Sequence, residues 1–507
     1  MFDLGRTLLA SCERRPEALA LVDGPLRLTY ADWLARIAAV AGALESLGLE
    51  RGDHLLLLLQ NRWQMATLHW ACQFLGIIVT PLNWRAKAQE VQYCALDAEA
   101  KAVVFEEVSA AAVAGSSACS SIPRVALGQT EVEALLFDTL LSAAPPSTLV
   151  CANAEDWSVM LYTSGTTGMP KGVPRRHRAE RSAALAHVAQ NLYGIGERTL
   201  GVMPLYHTMG VRSLLAMALV DGCFVCLPRF DAGGALRLIQ QERITNLYLV
   251  PTLYHDLLAH PEFAQTEVGS VTKLGFAGAP MPEALVRRLE TAFQPGLFVN
   301  HYGSSEIYTF TIDQQAARKP GSAGRAGLNA RIRVLKLDAR GPQDLAPAGQ
   351  EGQIIADLAG DEAFEGYWKR PDADAKALHD GWYYTGDTGY LDGDGDLFVT
   401  GRVDDMIICG GENISPVDVE SVLCVVPAVD EVAVAGLKDE RWGQRVVAFV
   451  KRKAPVEAAA LDAHCRASGL PDFKRPREYV FVRAIPKSSV GKILRRKLIA
   501  GEYETET

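Results

Sequence analysis

The chain has 507 residues, with a hydrophobic fraction of 49% and a charged fraction of 22%, values typical of a globular enzyme. A single hydrophobic core stops growing at roughly 250–300 residues, so the length predicts two or more domains. The formal net charge is −9, which argues against nucleic acid as the main partner, since phosphate binding needs a basic surface.

No apolar run approaches the roughly 18 residues of a membrane span, and residues 1–10 do not form a signal peptide. The ten cysteines lack disulfide-like spacing, which favours a reducing, cytoplasmic setting. Cys223 and Cys226 form a C-x-x-C, but their apolar neighbours predict a buried strand rather than a redox or metal site. The sequence leaves a homodimer open.

From Thr29 to about Phe310, β-rich runs alternate with amphipathic stretches. This alternation predicts an α/β fold with mixed, mostly parallel sheets. The predicted strands are His54–Gln60, Ile77–Leu82, Lys101–Phe105, Val159–Thr163, Gly201–Leu205, Cys223–Leu227, Asn246–Val250, Lys273–Ala277 and Leu297–His301. The predicted helices are Gln64–Phe74, Ala179–Asn191, Ala232–Gln241 and Pro282–Phe293.

From Ala323 to Val399, short strands separated by Gly, Asp and Pro predict a small β-rich subdomain. The segment Asp392–Asp396 lacks the full ligand pattern of a calcium loop, so we predict a hairpin turn there. The remainder is predicted to be a compact α+β unit. We therefore predict a large N-terminal domain, residues 1–401, and a small mobile C-terminal domain, residues 402–507, with the boundary close to Arg402–Asp405.

The strongest motif runs from Tyr162 to Val173, Y-T-S-G-T-T-G-M-P-K-G-V. Its glycines let backbone N–H groups approach phosphate oxygens, its hydroxyls add donors and Lys171 adds positive charge. It is not a Walker A loop, because Gly172 follows the lysine. On composition alone, a phosphate loop and a polar surface loop are equally good interpretations.

This motif resembles the phosphate loop of the adenylate-forming superfamily of acyl- and aryl-CoA synthetases, peptide-synthetase adenylation domains and luciferases. Further family signatures follow in the family's order, so the resemblance covers essentially the whole chain. One residue departs from the pattern: Ser305 stands where the family usually has Thr. The signatures are Tyr302–Glu306 (Y-G-S-S-E), Tyr384–Asp387 (Y-T-G-D), Gly401–Ile407 (G-R-V-D-D-M-I), Pro486-Lys487 and Gly491-Lys492.

The resemblance implies an ATP-dependent carboxylate–CoA ligase that works through an acyl-adenylate, with ATP, Mg²⁺ and coenzyme A. It implies that Tyr302 stacks on adenine, that Asp387 and Arg402 reach the ribose, and that Glu306 binds Mg²⁺. The residues implied to bind ATP or AMP are Thr163, Ser164, Gly165, Thr166, Thr167, Lys171, Ala277, Gly278, Ala279, Tyr302, Gly303, Ser304, Ser305, Asp387 and Arg402.

The family places the lysine that corresponds to Lys492 against the acyl carboxylate and the α-phosphate, where a fixed cation offsets charge repulsion. The candidate catalytic residues are Lys492, Glu306 and His207, and we expect Arg495–Lys497 to stay on the surface. The family's small domain swings about a hinge, which corresponds here to Asp404. The residues implied to contact CoA are Gly410, Gly411, Trp442, Phe473, Arg475 and Arg477.

The acid is expected at the C-terminal ends of the parallel strands, near the loop Tyr206–Arg212. We expect Arg212 to face water, and we expect Tyr248 and Tyr308 to sandwich a ring. Polar groups in this region favour a compact, aromatic acid of the benzoate type over a medium-chain fatty acid. The candidate acyl-pocket residues are His207, Thr208, Met209, Tyr248, His301 and Tyr308.

Two other functions stay open. One is an adenylation enzyme that loads a carrier protein, although Tyr248–Thr252 lacks the acidic residue that amino-acid activators of the family usually have. The other is a luciferase-type oxygenase or a non-catalytic homologue, against which the intact Lys492 and Glu306 positions argue.

Overall fold

The computed structural model describes residues 2–163, 169–410, 412–487 and 493–506, without the side chain of Asn413. The chain divides into two compact units. The first consists of Met1–Ile332 and Ala356–Gly381, and the second of Arg333–Ile355 and Trp382–Thr507. The predicted boundary close to Arg402–Asp405 stays a prediction.

Helices cover much of the first unit, and the first two begin at polar caps. The Asp3 side chain accepts from Arg6 N–H at the start of the first helix, and Thr29 and Asp32 form a capping box at the second. In chain order the helices are α1 (Leu4–Arg14), α2 (Tyr30–Ser46), α3 (Trp63–Leu75), α4 (Ala88–Asp97), α5 (Glu107–Ala114), α6 (Ser117–Ser120), α7 (Phe137–Leu140), α8 (His177–Gln190), α9 (Thr208–Leu219), α10 (Ala232–Gln241), α11 (Pro251–Ala259), α12 (Glu283–Phe293), α13 (Pro371–Ala377), α14 (Pro416–Leu423), α15 (Ala458–Ala467) and α16 (Arg495–Ile499).

The strands occur throughout the chain. In chain order they are β1 (Leu19–Asp23), β2 (Leu26–Thr29), β3 (His54–Leu58), β4 (Ile78–Pro81), β5 (Ala102–Glu106), β6 (Arg124–Leu127), β7 (Leu135–Leu136), β8 (Trp157–Thr163), β9 (Lys171–Arg176), β10 (Arg198–Gly201), β11 (Cys223–Cys226), β12 (Asn246–Leu249), β13 (Lys273–Phe276), β14 (Leu297–Tyr302), β15 (Thr311–Asp313), β16 (Arg325–Ala326), β17 (Ile332–Leu335), β18 (Gly352–Asp357), β19 (Leu378–His379), β20 (Trp382–Leu391), β21 (Leu397–Arg402), β22 (Ile407–Cys409), β23 (Glu412–Ile414), β24 (Val429–Asp439), β25 (Gly443–Arg452) and β26 (Glu478–Phe481).

One sheet of the first unit has the order β16-β15-β14-β13-β12-β10-β11-β1-β2. Its middle is parallel: β12 pairs with β13, with Tyr248 opposite Gly275, and β13 pairs with β14, with Phe276 opposite Asn300. Residues that follow these strands therefore leave the sheet at one edge, where ligands gather in open α/β sheets.

The other sheet of the first unit has the order β7-β6-β5-β3-β4-β8-β9. It is parallel except for the antiparallel pair β8 and β9, in which Thr163 lies opposite Lys171. The run Leu55–Leu58 in β3 is fully buried, as expected for an all-apolar parallel strand.

In the second unit, β17, β18 and β20 lie side by side in that order, and β21 pairs with β20. The connection between β20 and β21 is a hairpin, in which the Asp392 carboxylate accepts from the N–H groups of Asp394 and Asp396, each at 3.0 Å. The hairpin turn predicted at Asp392–Asp396 is therefore confirmed. A further sheet has the order β23-β22-β25-β24, with β26 beside β25.

The predicted α/β class, with mostly parallel sheets and a small α+β part, is confirmed. The strand predicted at Gly201–Leu205 is wrong: β10 ends at Gly201 and a loop follows. Pro204 has no N–H to donate to a neighbouring strand. The Asn61 side chain instead satisfies the backbone of this loop, because it donates to the Gly201 and Met203 carbonyl groups and accepts from Leu205 N–H.

Among the described residues, no helix combines the length and apolar character needed to cross a bilayer.

The prediction that Arg495–Lys497 stay on the surface is wrong for Arg495, whose side chain is only 11% exposed. Its guanidinium lies 2.9 Å from Asp405 and 2.6 Å from Glu420, and its Nε donates to the Val434 carbonyl oxygen. A buried guanidinium needs such partners because its desolvation is costly.

Candidate active site

The predicted phosphate loop connects β8 to β9. Thr163 is the last residue of β8 and lies opposite Lys171, the first residue of β9. Ser164, Gly165, Thr166 and Thr167 lie outside the described residues. This pairing therefore places Thr163, with its hydroxyl, and Lys171, with its ammonium group, at the two ends of the predicted phosphate loop.

The candidate adenine site follows two adjacent parallel strands. Ala277 is buried and Gly278 and Ala279 are exposed, directly after β13. Tyr302 ends β14 and is half-buried, with its ring centroid 5.1 Å from that of Phe310. Since β13 and β14 are neighbours, the structure brings Tyr302 and the Ala277–Ala279 shelf to the same sheet edge.

The loop after Tyr302 is closely packed and is hydrogen-bonded by the side chains of Ser304 and Arg175. A Cβ atom at Gly303 would lie 2.1 Å from the Tyr308 carbonyl oxygen, so this position needs glycine. The Ser304 hydroxyl accepts from Glu306 N–H at 3.2 Å. Arg175 Nη1 donates to the carbonyl oxygens of Ser305 and Glu306, at 3.3 and 3.0 Å.

The side chain of Glu306, the predicted Mg²⁺ ligand, is anchored by a residue that sequence analysis missed. Glu306 is 7% exposed, and its Oε1 accepts a hydrogen bond from the Tyr367 hydroxyl at 2.7 Å. Lys171 Nζ lies 3.9 Å from the centroid of the Tyr367 ring. A buried carboxylate oxygen is a hard ligand of the type that Mg²⁺ prefers, so the donor chemistry fits this ion.

The two candidate ribose residues lie together in the second unit. Asp387 on β20 is opposite Arg402 on β21, and Arg402 Nη1 lies 2.6 Å from the Asp387 carboxylate. Arg402 Nη1 also donates to the Thr385 carbonyl oxygen at 3.2 Å. Asp387 is therefore part of a strand, with its side chain oriented by a cross-strand ion pair.

Two of the candidate acyl-pocket residues, Tyr248 and His301, form a buried cluster with His187. The ring centroids are 4.8 Å apart for His187 and Tyr248, 5.2 Å for His187 and His301, and 5.1 Å for Tyr248 and His301. The Asn191 amide bonds to both imidazoles. Burial lowers the pKa of His187 and His301 well below the usual value, so both rings are neutral near pH 7. Sequence analysis did not single out His187.

Tyr308 has different neighbours. Its ring is covered by the guanidinium groups of Arg175, at 3.8 Å, and Arg212, at 5.1 Å, and its hydroxyl donates to Glu180 at 3.2 Å. The expectation that Arg212 faces water is wrong, since it is 2% exposed. These contacts weigh against Tyr308 as one side of a sandwich with Tyr248, which stays a prediction.

His207, Thr208 and Met209 form the start of α9, so the predicted loop Tyr206–Arg212 is helical from Thr208 onward. His207 is the N-cap residue and its Nδ1 lies 3.4 Å from Met209 N. His207 is half-buried, while Thr208 and Met209 are buried. Their contact with an acid stays a prediction.

Two of the candidate CoA residues, Gly410 and Trp442, are packed together. Gly410 has a φ of +62°, and a Cβ atom there would lie 2.7 Å from the Trp442 ring, so glycine is needed for both reasons. Trp442 is nevertheless 47% exposed, with the Arg441 guanidinium 4.7 Å from its centroid. Gly411 lies outside the described residues.

The basic residues of the second candidate CoA segment differ in exposure. Arg475 is paired with Asp462, and with Asp472 at 3.4 Å, and its side chain is 11% exposed. Phe473 and Arg477 are exposed, and Arg477 donates to the Asp472 carbonyl oxygen at 3.0 Å. Arg477 is therefore better placed than Arg475 to meet an anionic ligand.

The predicted hinge residue, Asp404, is exposed and lies in the single helical turn Val403–Asp405. Lys492 lies outside the described residues, so its catalytic role rests on the sequence motif.

Comparison with known proteins identifies the family. Residues 8–368 match the AMP-binding enzyme family, and residues 418–492 match the C-terminal domain of AMP-binding enzymes. The chain is 34% identical over 493 residues to the 4-chlorobenzoate–CoA ligase of an Arthrobacter species, which covers 96% of this chain and 93% of that protein. It is 32% identical over 493 residues to the long-chain-fatty-acid–CoA ligase FadD13 of Mycobacterium tuberculosis, with 96% of both chains covered.

The fold agrees with that assignment. The crystal structure of the anthranilate CoA ligase AuaEII in complex with anthranoyl-AMP superposes with a TM-score of 0.89 at 27% identity, covering 99% of this chain and 97% of that one. Sequence and structure thus agree along nearly the whole chain. The protein belongs to the family of AMP-binding enzymes, the adenylate-forming acyl- and aryl-CoA ligases.

Proposed function

We propose that this chain is a carboxylate–CoA ligase for a compact, aromatic acid. In the first step, a carboxylate oxygen attacks the α-phosphorus of ATP, the bond between the α-phosphorus and its bridging oxygen breaks, and pyrophosphate leaves. In the second step, the CoA thiolate sulfur attacks the acyl carbon and AMP leaves with the bonding electrons. The observation that carries the proposal is the linkage of Lys171 and Glu306 through Tyr367 beside the predicted phosphate loop.

The described residues have chemistry suited to these roles. Lys171 would pair with phosphate oxygens, Tyr302 would stack on adenine, and Asp387 would accept from the ribose hydroxyls. Glu306 would hold Mg²⁺, which supplies charge neutralisation at the phosphates when bound. Lys492, which lies outside the described residues, would bring a cation to the carboxylate and α-phosphate.

The preference for an aromatic acid rests on the cluster at the sheet edge. Tyr248 offers an aromatic face, and offset or edge contacts between rings are worth about 0.5–1.5 kcal/mol beyond the area they bury. Within the described residues, His187 Nε2, His301 Nδ1, and Arg212 Nε and Nη1 are buried without a hydrogen-bond partner. A long alkyl chain would leave such groups unsatisfied. A ring substituent that both accepts and donates, such as a hydroxyl, could accept from the His187 and Arg212 N–H groups and donate to His301 Nδ1.

A fatty acid is the second candidate, because the long-chain-fatty-acid ligase is nearly as similar to this chain as the chlorobenzoate ligase. Comparing kcat/KM for benzoate, 4-hydroxybenzoate, hexanoate and decanoate decides between the two. We expect the aryl acids to be preferred. Tyr248→Ala should weaken them by about 0.5–1.5 kcal/mol beyond the lost area, through the missing ring contact. A strong preference for decanoate would exclude the aromatic assignment.

A further inference from the structure

The segment Phe364–Trp368 is bonded at its two ends to two parts of the proposed nucleotide site. Phe364 N–H donates to the Glu306 carbonyl oxygen at 2.9 Å. Trp368 N–H donates to the Gly172 carbonyl oxygen, also at 2.9 Å. The segment therefore spans the distance from the loop that carries Glu306 to the strand that carries Lys171.

Tyr367 lies within this segment and contacts the functional side chain on each side. Its hydroxyl donates to Glu306 Oε1 at 2.7 Å, and its ring centroid lies 3.9 Å from Lys171 Nζ. Tyr367 is only 6% exposed, so water competes little for either contact. One aromatic side chain thus couples the orientation of a carboxylate to the position of an ammonium group.

We propose that Tyr367 is a positioning residue for the magnesium–nucleotide complex, acting through Glu306 and Lys171. This inference rests on the proposed function, in which Glu306 holds Mg²⁺ and Lys171 contacts phosphates. The hydroxyl occupies one oxygen of Glu306 and so selects the rotamer that presents the other oxygen as a ligand. Substitution of a residue that hydrogen-bonds to a metal ligand commonly lowers metal affinity by roughly 10–100-fold. The ring holds the ammonium by cation–π attraction.

The two contacts can be removed separately. Tyr367→Phe keeps the ring over Lys171 and removes the hydroxyl that donates to Glu306. Tyr367→Leu removes both contacts. Tyr30→Phe is the matched control, since Tyr30 is 1% exposed and its hydroxyl donates to the carbonyl oxygens of Met217 and Gly222, at 3.2 and 2.9 Å. The control loses a buried tyrosine hydroxyl that is not bonded to Glu306 or Lys171.

The test is calorimetric binding of α,β-methylene-ATP at a series of Mg²⁺ concentrations. This analogue cannot transfer its adenylyl group to an acid, because carbon replaces the oxygen that bridges the α- and β-phosphorus atoms. We expect Tyr367→Phe to raise the half-saturating Mg²⁺ concentration by roughly tenfold or more, with nucleotide affinity in EDTA unchanged. Tyr367→Leu should also weaken binding in EDTA, and Tyr30→Phe should match the wild type in both.

The outcomes separate the inference from the proposed function. If wild type and Tyr367→Phe show the same Mg²⁺ dependence, the positioning role of Tyr367 is wrong even when both bind nucleotide. If the wild type itself shows no Mg²⁺-dependent binding of the nucleotide, the proposed function fails instead. Since Tyr367→Phe deletes a single oxygen atom, it also decides the question if Tyr367→Leu does not fold.

Discussion

The guanidinium of Arg495 lies 2.9 Å from the carboxylate of Asp405, the residue next to the predicted hinge. It also makes a bidentate contact with Glu420, with oxygens at 2.6 and 2.8 Å. Arg495 lies three residues after Lys492, the predicted catalytic lysine. Its contact with Asp405 therefore joins this part of the chain to the residues directly after β21. The contact orients the C-terminal segment within the second unit.

Removal of Arg495 should destabilise the second unit strongly. Arg495→Ala leaves Glu420, whose side chain is 14% exposed, without its cation, and breaking a buried pair in this way costs about 3–5 kcal/mol. Chemical denaturation should show that loss in the free energy of unfolding. The adjacent Arg496 is exposed, so Arg496→Ala should cost less than about 1 kcal/mol. Equal effects of the two substitutions would contradict the structural role of Arg495.

Buried histidines should make the first unit sensitive to acid. Burial lowers the pKa of His54 and of His177 from 6.5 to about 4. Between pH 6.5 and about pH 4, these histidines bind protons in the unfolded chain but not in the folded chain. The free energy of unfolding should therefore fall as the pH falls from 6.5 to 4, by about 1.4 kcal/mol per pH unit for each histidine.

His177→Gln tests this directly, because glutamine can still accept the hydrogen bond from Leu4 N–H that His177 Nδ1 accepts at 3.2 Å. Its free energy of unfolding should depend less steeply on pH than that of the wild type. His255→Gln, at an exposed site, is the control for the substitution itself. An unaltered slope in the His177 variant would show that this residue does not carry the effect.

Asp404→Pro should separate the two half-reactions. Proline fixes φ near −65° and restricts Val403 as well, so a rotation about residue 404 is blocked. We expect acyl-adenylate formation to persist and thioester formation to slow, as measured by pyrophosphate release and by CoA thioester in single-turnover experiments. Normal rates in both steps would exclude Asp404 as the hinge.

Lys492→Ala should act on the other half-reaction. Loss of one charge-stabilising donor should lower adenylation by roughly 100- to 1000-fold, while thioester formation from pre-made acyl-adenylate survives. Lys497→Ala is the control, since Lys497 lies near Glu502 at the surface. Equal losses in both half-reactions of the Lys492 variant would argue that the lysine is needed for something other than adenylation.

Short sequence patterns predicted the strands and helices well where the buried residues are close neighbours in the sequence. The all-leucine run in β3 and the periodic helix Ala232–Gln241 are signals contained in a few neighbouring residues. The loop after Gly201 could not be predicted in this way. The side chain that satisfies its backbone belongs to Asn61, which is 140 or more residues away.

The nucleotide motifs were recognisable because each is a short contiguous segment. The predictions for Arg212 and Arg495 were wrong because arginine side chains are usually exposed, and the groups that bind these two are distant in sequence. Arg495 meets Glu420 and Asp405 across 75 and 90 residues. The role of Tyr367 could not be predicted for the same reason, since its partner Glu306 is 61 residues before it.

The central claim, that this chain joins a carboxylic acid to coenzyme A through an acyl-adenylate, is tested most directly by acid-dependent AMP release. The measurement follows AMP with benzoate and ATP, and either free CoA or a phosphopantetheine-bearing carrier protein as the acceptor. We expect AMP and benzoyl-CoA to form in equal amounts with free CoA, and little acylated carrier protein. Turnover with the carrier protein but not with CoA would contradict the assignment, as would AMP release that does not depend on any acid.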